Sequence, residues 1–65
     1  KRFDVSGNLI VIRTAPGDAQ AVGLAIDRSG WSEVLGTVAG DDTLLVVVGE
    51  GVSANKVINK IQKEK

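Results

Sequence analysis

Apolar residues recur along the chain in two rhythms. Phe3 and Val5 alternate with Arg2, Asp4 and Ser6, the period-two pattern of a short half-buried strand. Gly7-Asn8 reads as a tight hairpin turn. Leu9 to Ile12 then form an unbroken, largely β-branched run that reads as a second strand. Thr14-Ala15-Pro16-Gly17 ends it. A helix is predicted from near Asp18 to Gly30, with the glycine at the position that closes a helix in left-handed conformation. Within it Ala19, Val22 and Ile26 fall at i, i+3 and i+7 and form a core stripe. Gln20 and Asp27 share a different face two turns apart, with Gly23 between them. A mid-helix glycine costs about 1 kcal/mol relative to alanine. Its expected use is the close approach of another backbone or a ligand.

Glu33 to Ala39 and Thr43 to Val48 are the predicted third and fourth strands, joined by a Gly40-Asp41-Asp42 hairpin loop. After a break at Gly49 to Val52, Ser53 suits the N-cap of a final helix. Val52 and Val57 occupy the hydrophobic-staple positions around that cap. Val57, Ile58 and Ile61 give this helix its apolar stripe, and lysines in its last turn complement the helix dipole. The order is strand, strand, helix, strand, strand, helix. Short hairpins make the pairing mainly antiparallel. The predicted fold is an α/β (α+β) two-layer sandwich, a four-stranded sheet with both helices on one face.

The runs Leu9–Ile12 and Leu44–Val48 do not alternate, as strands with one wet face should. Both faces of those strands are therefore expected to be dry, the uncovered one packing on another subunit. The plainer reading is a pair of central strands with a few exposed aliphatics.

Sixty-five residues make one small domain, 1–65. A chain this short buries only about 60% of its unfolded surface. It has no cysteine or histidine, hence no disulfide and no Cys/His zinc set. Self-association is the remaining common source of stability. No apolar run approaches the roughly 20 residues of a membrane span, and no signal peptide is evident. The first residue is not methionine, so a piece of a longer protein is expected.

Net charge is zero, but the charges are segregated. Between Thr14 and Asn55 lie Asp18, Asp27, Glu33, Asp41, Asp42 and Glu50, with Arg28 the only base. Lys1, Arg2 and Arg13 lie towards one end, and Lys56, Lys60, Lys63 and Lys65 towards the other. An acidic middle disfavours phosphate contact there and suits a cationic ligand. An ordinary solvated acidic surface is the alternative.

The adjacent aspartates of the hairpin loop sharpen that choice. Each raises the other's proton affinity, so a fold that keeps the pair is expected to gain from a neutralising cation. Without histidine or cysteine, that leaves a hard metal ion, an ammonium or a guanidinium. Gln20 and Asp27 on the helix face and Asp41 and Asp42 on the loop are expected to converge. Together they suit a small amphoteric molecule, since carboxylates pair bidentately with guanidinium. Singly, Gln20 reads as an exposed helix residue, Asp27 as a lysine partner or a solvated surface acid, and Asp41 and Asp42 as turn formers. Trp31 is expected to anchor packing or a subunit contact. Paired carboxylates can also hold Mg²⁺, but no nucleophile-and-base pair accompanies them, so no catalytic residue is expected. A ligand-free oligomerisation module is the other rival.

Three segments carry a resemblance. Thr14-Ala15-Pro16-Gly17-Asp18-Ala19-Gln20, Ala25-Ile26-Asp27 and Leu35-Gly36-Thr37-Val38-Ala39-Gly40-Asp41-Asp42-Thr43 look like the C-terminal domain of bacterial arginine repressors. The likeness spans about Leu9 to Val48. The ends, Lys1–Ser6 and Gly49–Lys65, match no specific motif. The resemblance implies a cytoplasmic regulator of arginine metabolism genes, not an enzyme. In that family the domain forms trimers that pair into hexamers. L-arginine, the corepressor, binds between subunits, and no other cofactor or metal is implied. By carry-over, Gln20, Asp27 and Asp42 contact the amino-acid end of the ligand, and Asp41 reaches the guanidinium of arginine held by the opposite trimer. Backbone groups of Thr37 and Ala39 contribute. A separate N-terminal winged-helix domain, absent from this chain, reads operator DNA.

Overall fold

The computed structural model describes residues 2–63; Lys1, Glu64 and Lys65, whose lysines count in the end charge, lie outside the described residues. The elements are β1 (Arg2–Ser6), β2 (Leu9–Arg13), α1 (Ala19–Ser29), β3 (Val34–Ala39), β4 (Thr43–Val48) and α2 (Ala54–Lys63). The strands form one sheet in the order β1-β2-β4-β3, every neighbouring pair antiparallel. The two-layer, ββαββα expectation is met, and each predicted boundary lies within a residue of the observed one.

The two strands with unbroken apolar runs are the two central ones. In a register of Ile10 opposite Val46 and Ile12 opposite Leu44, one face turns inward. Ile10, Ile12, Leu44, Val46 and Val48 are fully buried there. Ala19 and Ile26 from α1 and Ala54, Val57 and Ile61 from α2 complete the core. Val22, Trp31, Val52 and Ile58 pack against its margin. Gly30 ends α1 with φ +66°, and its N–H meets the Asp27 carbonyl at 3.4 Å. A side chain there would add a steric cost that glycine avoids. Ser53 precedes α2 as expected, and its carbonyl accepts the Lys56 N–H at 3.2 Å.

β1 departs from the half-buried expectation. Only Phe3 packs against the core, while Val5 is 47% exposed. β1 is a sheet edge, and α1 lies across β3 and β4 at the other side. Alternation in the sequence sets the face of a residue but not whether anything covers it.

Among the described residues, no helix covers the second sheet face. Val11 and Leu45 stand in register on it with Val38, and Leu9 with Val47. The four from β2 and β4 are half-buried by their neighbours; Val38 is 68% exposed. A register shift between Val34 and Gly36 inserts Leu35 as an extra residue in β3, and it is 71% exposed.

The acidic loop is tied down by its main chain. Thr14 N–H donates to the Asp42 carbonyl at 2.8 Å, and Gly17 N–H to the Asp41 carbonyl at 2.9 Å. Gly40 N–H closes the hairpin on the Thr43 carbonyl at 2.8 Å. Pro16, which has no N–H to give, sits where none is called on. These bonds leave the aspartate side chains outside the ladder.

Candidate functional site

α1 lays one face along β3, and the seam between them is the candidate site. Gln20, Gly23, Leu24 and Asp27 recur at helical spacing on that face. With Thr37 and Ala39 of β3 they line an open depression of about 240 Å³. A second depression, of about 330 Å³, is lined by Gly17, Gln20, Ala39, Gly40 and Asp41. Gln20 and Ala39 belong to both, so the two are halves of one groove. Asp27 marks one half and Asp41 the other. Small-ligand sites usually measure about 300 to 1,000 Å³, and the two halves together reach that range.

The carboxylates are not equivalent. Asp27 accepts from the Thr37 hydroxyl at 3.3 Å on Oδ1 and 3.4 Å on Oδ2. Asp42 accepts from the Thr43 hydroxyl at 2.9 Å and lines neither half of the groove. Asp41 lines the larger half, and among the described residues its side chain has no hydrogen-bond partner. Among the described residues none of the three is ion-paired; the pairs formed are Arg2–Asp4 and Lys60–Glu33. Unpaired carboxylates around a partly apolar groove can accept hydrogen bonds from a cationic ligand. Gln20 offers an amide that both donates and accepts.

Of the residues singled out in the sequence, Gln20, Asp27, Thr37, Ala39 and Asp41 meet in the groove, and Asp42 stands beside it. Leu24, 50% exposed, was not singled out. Its signal was present: it lies at i+4 from Gln20 and i−3 from Asp27, on the same helix face. The role of the Thr37 hydroxyl was also not anticipated, because it depends on the packing of β3 against α1. Among the described residues, no group of three or more Asp or Glu side chains is placed to share a metal ion. Among the described residues, no helix is long and apolar enough to cross a membrane.

The family model described as "Arginine repressor, C-terminal domain" matches residues 2–63. The chain belongs to this family. It is 51% identical over 60 residues to the arginine repressor of Symbiobacterium thermophilum, covering 92% of this chain and 40% of that protein. With the arginine repressor of Desulfitobacterium hafniense the identity is 53% over 58 residues, 89% of this chain and 39% of the relative. With that of Geobacillus stearothermophilus it is 43% over 60 residues, 92% and 40%. The chain thus spans about two fifths of the length of the curated relatives it matches. The family match extends through β1 and α2, beyond the Leu9–Val48 stretch in which the sequence motifs lie.

Proposed function

We propose that this chain is the effector-sensing and assembly domain of an arginine-dependent transcriptional repressor, with L-arginine as its corepressor. The observation that carries the reading is the α1–β3 groove, which has an unpaired carboxylate in each half and Gln20 on the shared wall. An amino acid with a cationic side chain has two cationic ends and one anionic group. Asp27 and Gln20 face its amino-acid end, joined by Asp42 and by backbone groups of Thr37 and Ala39. Asp41 takes a guanidinium, the partner a carboxylate binds bidentately, presented by arginine seated on a neighbouring trimer. The site binds and does not transform its ligand: no histidine, cysteine or tyrosine is present to act on it.

The bare sheet face supports the second half of the proposal. Leu9, Val11, Leu45, Val47 and Val38 form a contiguous apolar block, of the kind that marks a protein contact. Copies meet through such surfaces as trimers, and trimers pair into a hexamer. Acidic loops brought together in that assembly repel, and bound arginine offsets the repulsion. A ligand that binds the hexamer better than the trimer shifts the population towards the hexamer. Operator DNA is read by a separate domain of the longer cytoplasmic protein.

Sedimentation of the chain with and without L-arginine tests the reading. The expected result is a shift to higher mass with arginine at protein concentrations where the free chain is partly dissociated. A mass distribution that ignores the ligand rejects the linkage. No selective stabilisation by arginine in a thermal screen of amino acids rejects the site and leaves a purely structural module.

A further inference from the structure

Asp27 is approached by its own fold from one side. Thr37 Oγ1 lies almost equally far from its two carboxylate oxygens, at 3.3 and 3.4 Å. A hydroxyl has one hydrogen to donate, while a carboxylate has about four acceptor positions. Thr37 therefore uses at most one acceptor position of a carboxylate that lines the groove, and the others are left for a ligand. That approach depends on the residue beneath it. A Cβ on Gly23 would lie 3.0 Å from Leu44 Cδ1 and 3.3 Å from Thr37 Oγ1. Leu44 is fully buried, so the methyl end of its side chain has only a few tenths of an ångström to give. The threonine side chain is the neighbour with room to move, since it borders the open groove.

We propose that Thr37 and Gly23 are positioning residues for the effector: the Thr37 hydroxyl orients the Asp27 carboxylate towards the ammonium of an amino-acid ligand, and Gly23 clears the space that the hydroxyl occupies. This rests on the arginine-binding reading above. It accounts for a glycine in the middle of α1, where alanine would form a better helix.

The test is calorimetric titration of the chain and its variants with L-arginine, each variant first checked for folding by circular dichroism. Thr37→Val keeps the shape and removes the hydroxyl. It is expected to weaken affinity about tenfold, as loss of a hydrogen bond to a charged group does. Thr37→Ser restores the hydroxyl and is expected to bind within about twofold of the parent. Gly23→Ala is expected to weaken binding by a factor similar to Thr37→Val. The double variant is expected to be no weaker than Thr37→Val alone, because both act through the same contact. Unchanged affinity in Thr37→Val, or a serine variant as weak as the valine one, overturns the proposal. Losses that multiply in the double variant overturn the part assigned to Gly23. If Gly23→Ala does not fold, the valine and serine pair still decides the role of Thr37. Absence of arginine binding by the parent chain is a separate outcome, which overturns the functional reading and the inference with it.

Discussion

Asp41 has no cation beside it among the described residues, yet its loop is anchored by main-chain bonds on two carbonyls. Its charge is thus held in place and free for a ligand. Asp41→Asn keeps the shape and removes the charge, so affinity for L-arginine should fall by more than about tenfold in calorimetry, with folding unchanged. Unchanged affinity rejects the guanidinium role. Glu33 is the contrasting acid. Lys60 Nζ donates to its Oε2 at 2.7 Å and lies 5.7 Å from the centre of the Trp31 ring. That hydrogen bond, more than its other surroundings, holds the Glu33 carboxyl below its ordinary value of 4.5. A carboxyl lowered in the folded state binds protons more readily when unfolded. Its stabilisation is complete above 4.5 and is lost as pH falls through the lowered folded value. Denaturant melts between about pH 3 and 6 should show Glu33→Gln flattening that part of the curve. At this scale the sequence shows much but not all. The spacing of Gln20 and Asp27 puts them on one face whatever the tertiary fold. The Asp41-Asp42 doublet looks symmetrical on paper, and only the loop geometry separates the groove-lining member from the one bonded to Thr43.

Elements follow from local chemistry where that chemistry is strong. The left-handed Gly30 marks the end of α1, and the unbroken runs of β2 and β4 mark the centre of the sheet. Gly30→Ala should therefore lower stability by about 1 kcal/mol in urea, because the backbone there has φ +66°. No such cost should appear for Ser29→Ala beyond the loss of its hydroxyl bond to the Ala25 carbonyl, 2.9 Å long and exposed. What the sequence does not carry is the pairing between elements. The shift that inserts Leu35 into β3 follows from fitting that strand to β4, and no residue of Val34-Leu35-Gly36 announces it. The exposure of Val5 is a matter of sheet order in the same way: an edge position has no signature in the alternation of a five-residue strand.

The whole molecule has a finished core on one side of its sheet and an unfinished surface on the other. The excess of apolar residues over what one core can use was legible in the sequence as a failure to alternate. Which residues carry it needed the register. Val38 is the best place to test its purpose, because it is 68% exposed and the single chain should tolerate a charge there. Val38→Lys should leave a folded chain by circular dichroism and sediment as a smaller species than the parent at equal concentration. Retained assembly rejects the sheet face as the contact. Truncation of a buried residue such as Leu44→Ala should instead unfold the chain, costing about 2 to 5 kcal/mol in a domain with little to spare.

The carbonyls of Asp41 and Asp42 receive the amides of Gly17 and Thr14 respectively. Every amino acid brings the same carbonyl, so the main-chain anchor does not depend on the side chains at 41 and 42, although the Asp42 carboxylate also accepts the Thr43 hydroxyl. Evolution or a designer can rewrite the chemistry displayed there without disturbing the backbone that displays it. If the proposed site is right, selectivity for the effector can change at position 41 without loss of the turn, whereas proline is barred from 14 and 17, where the amides must remain.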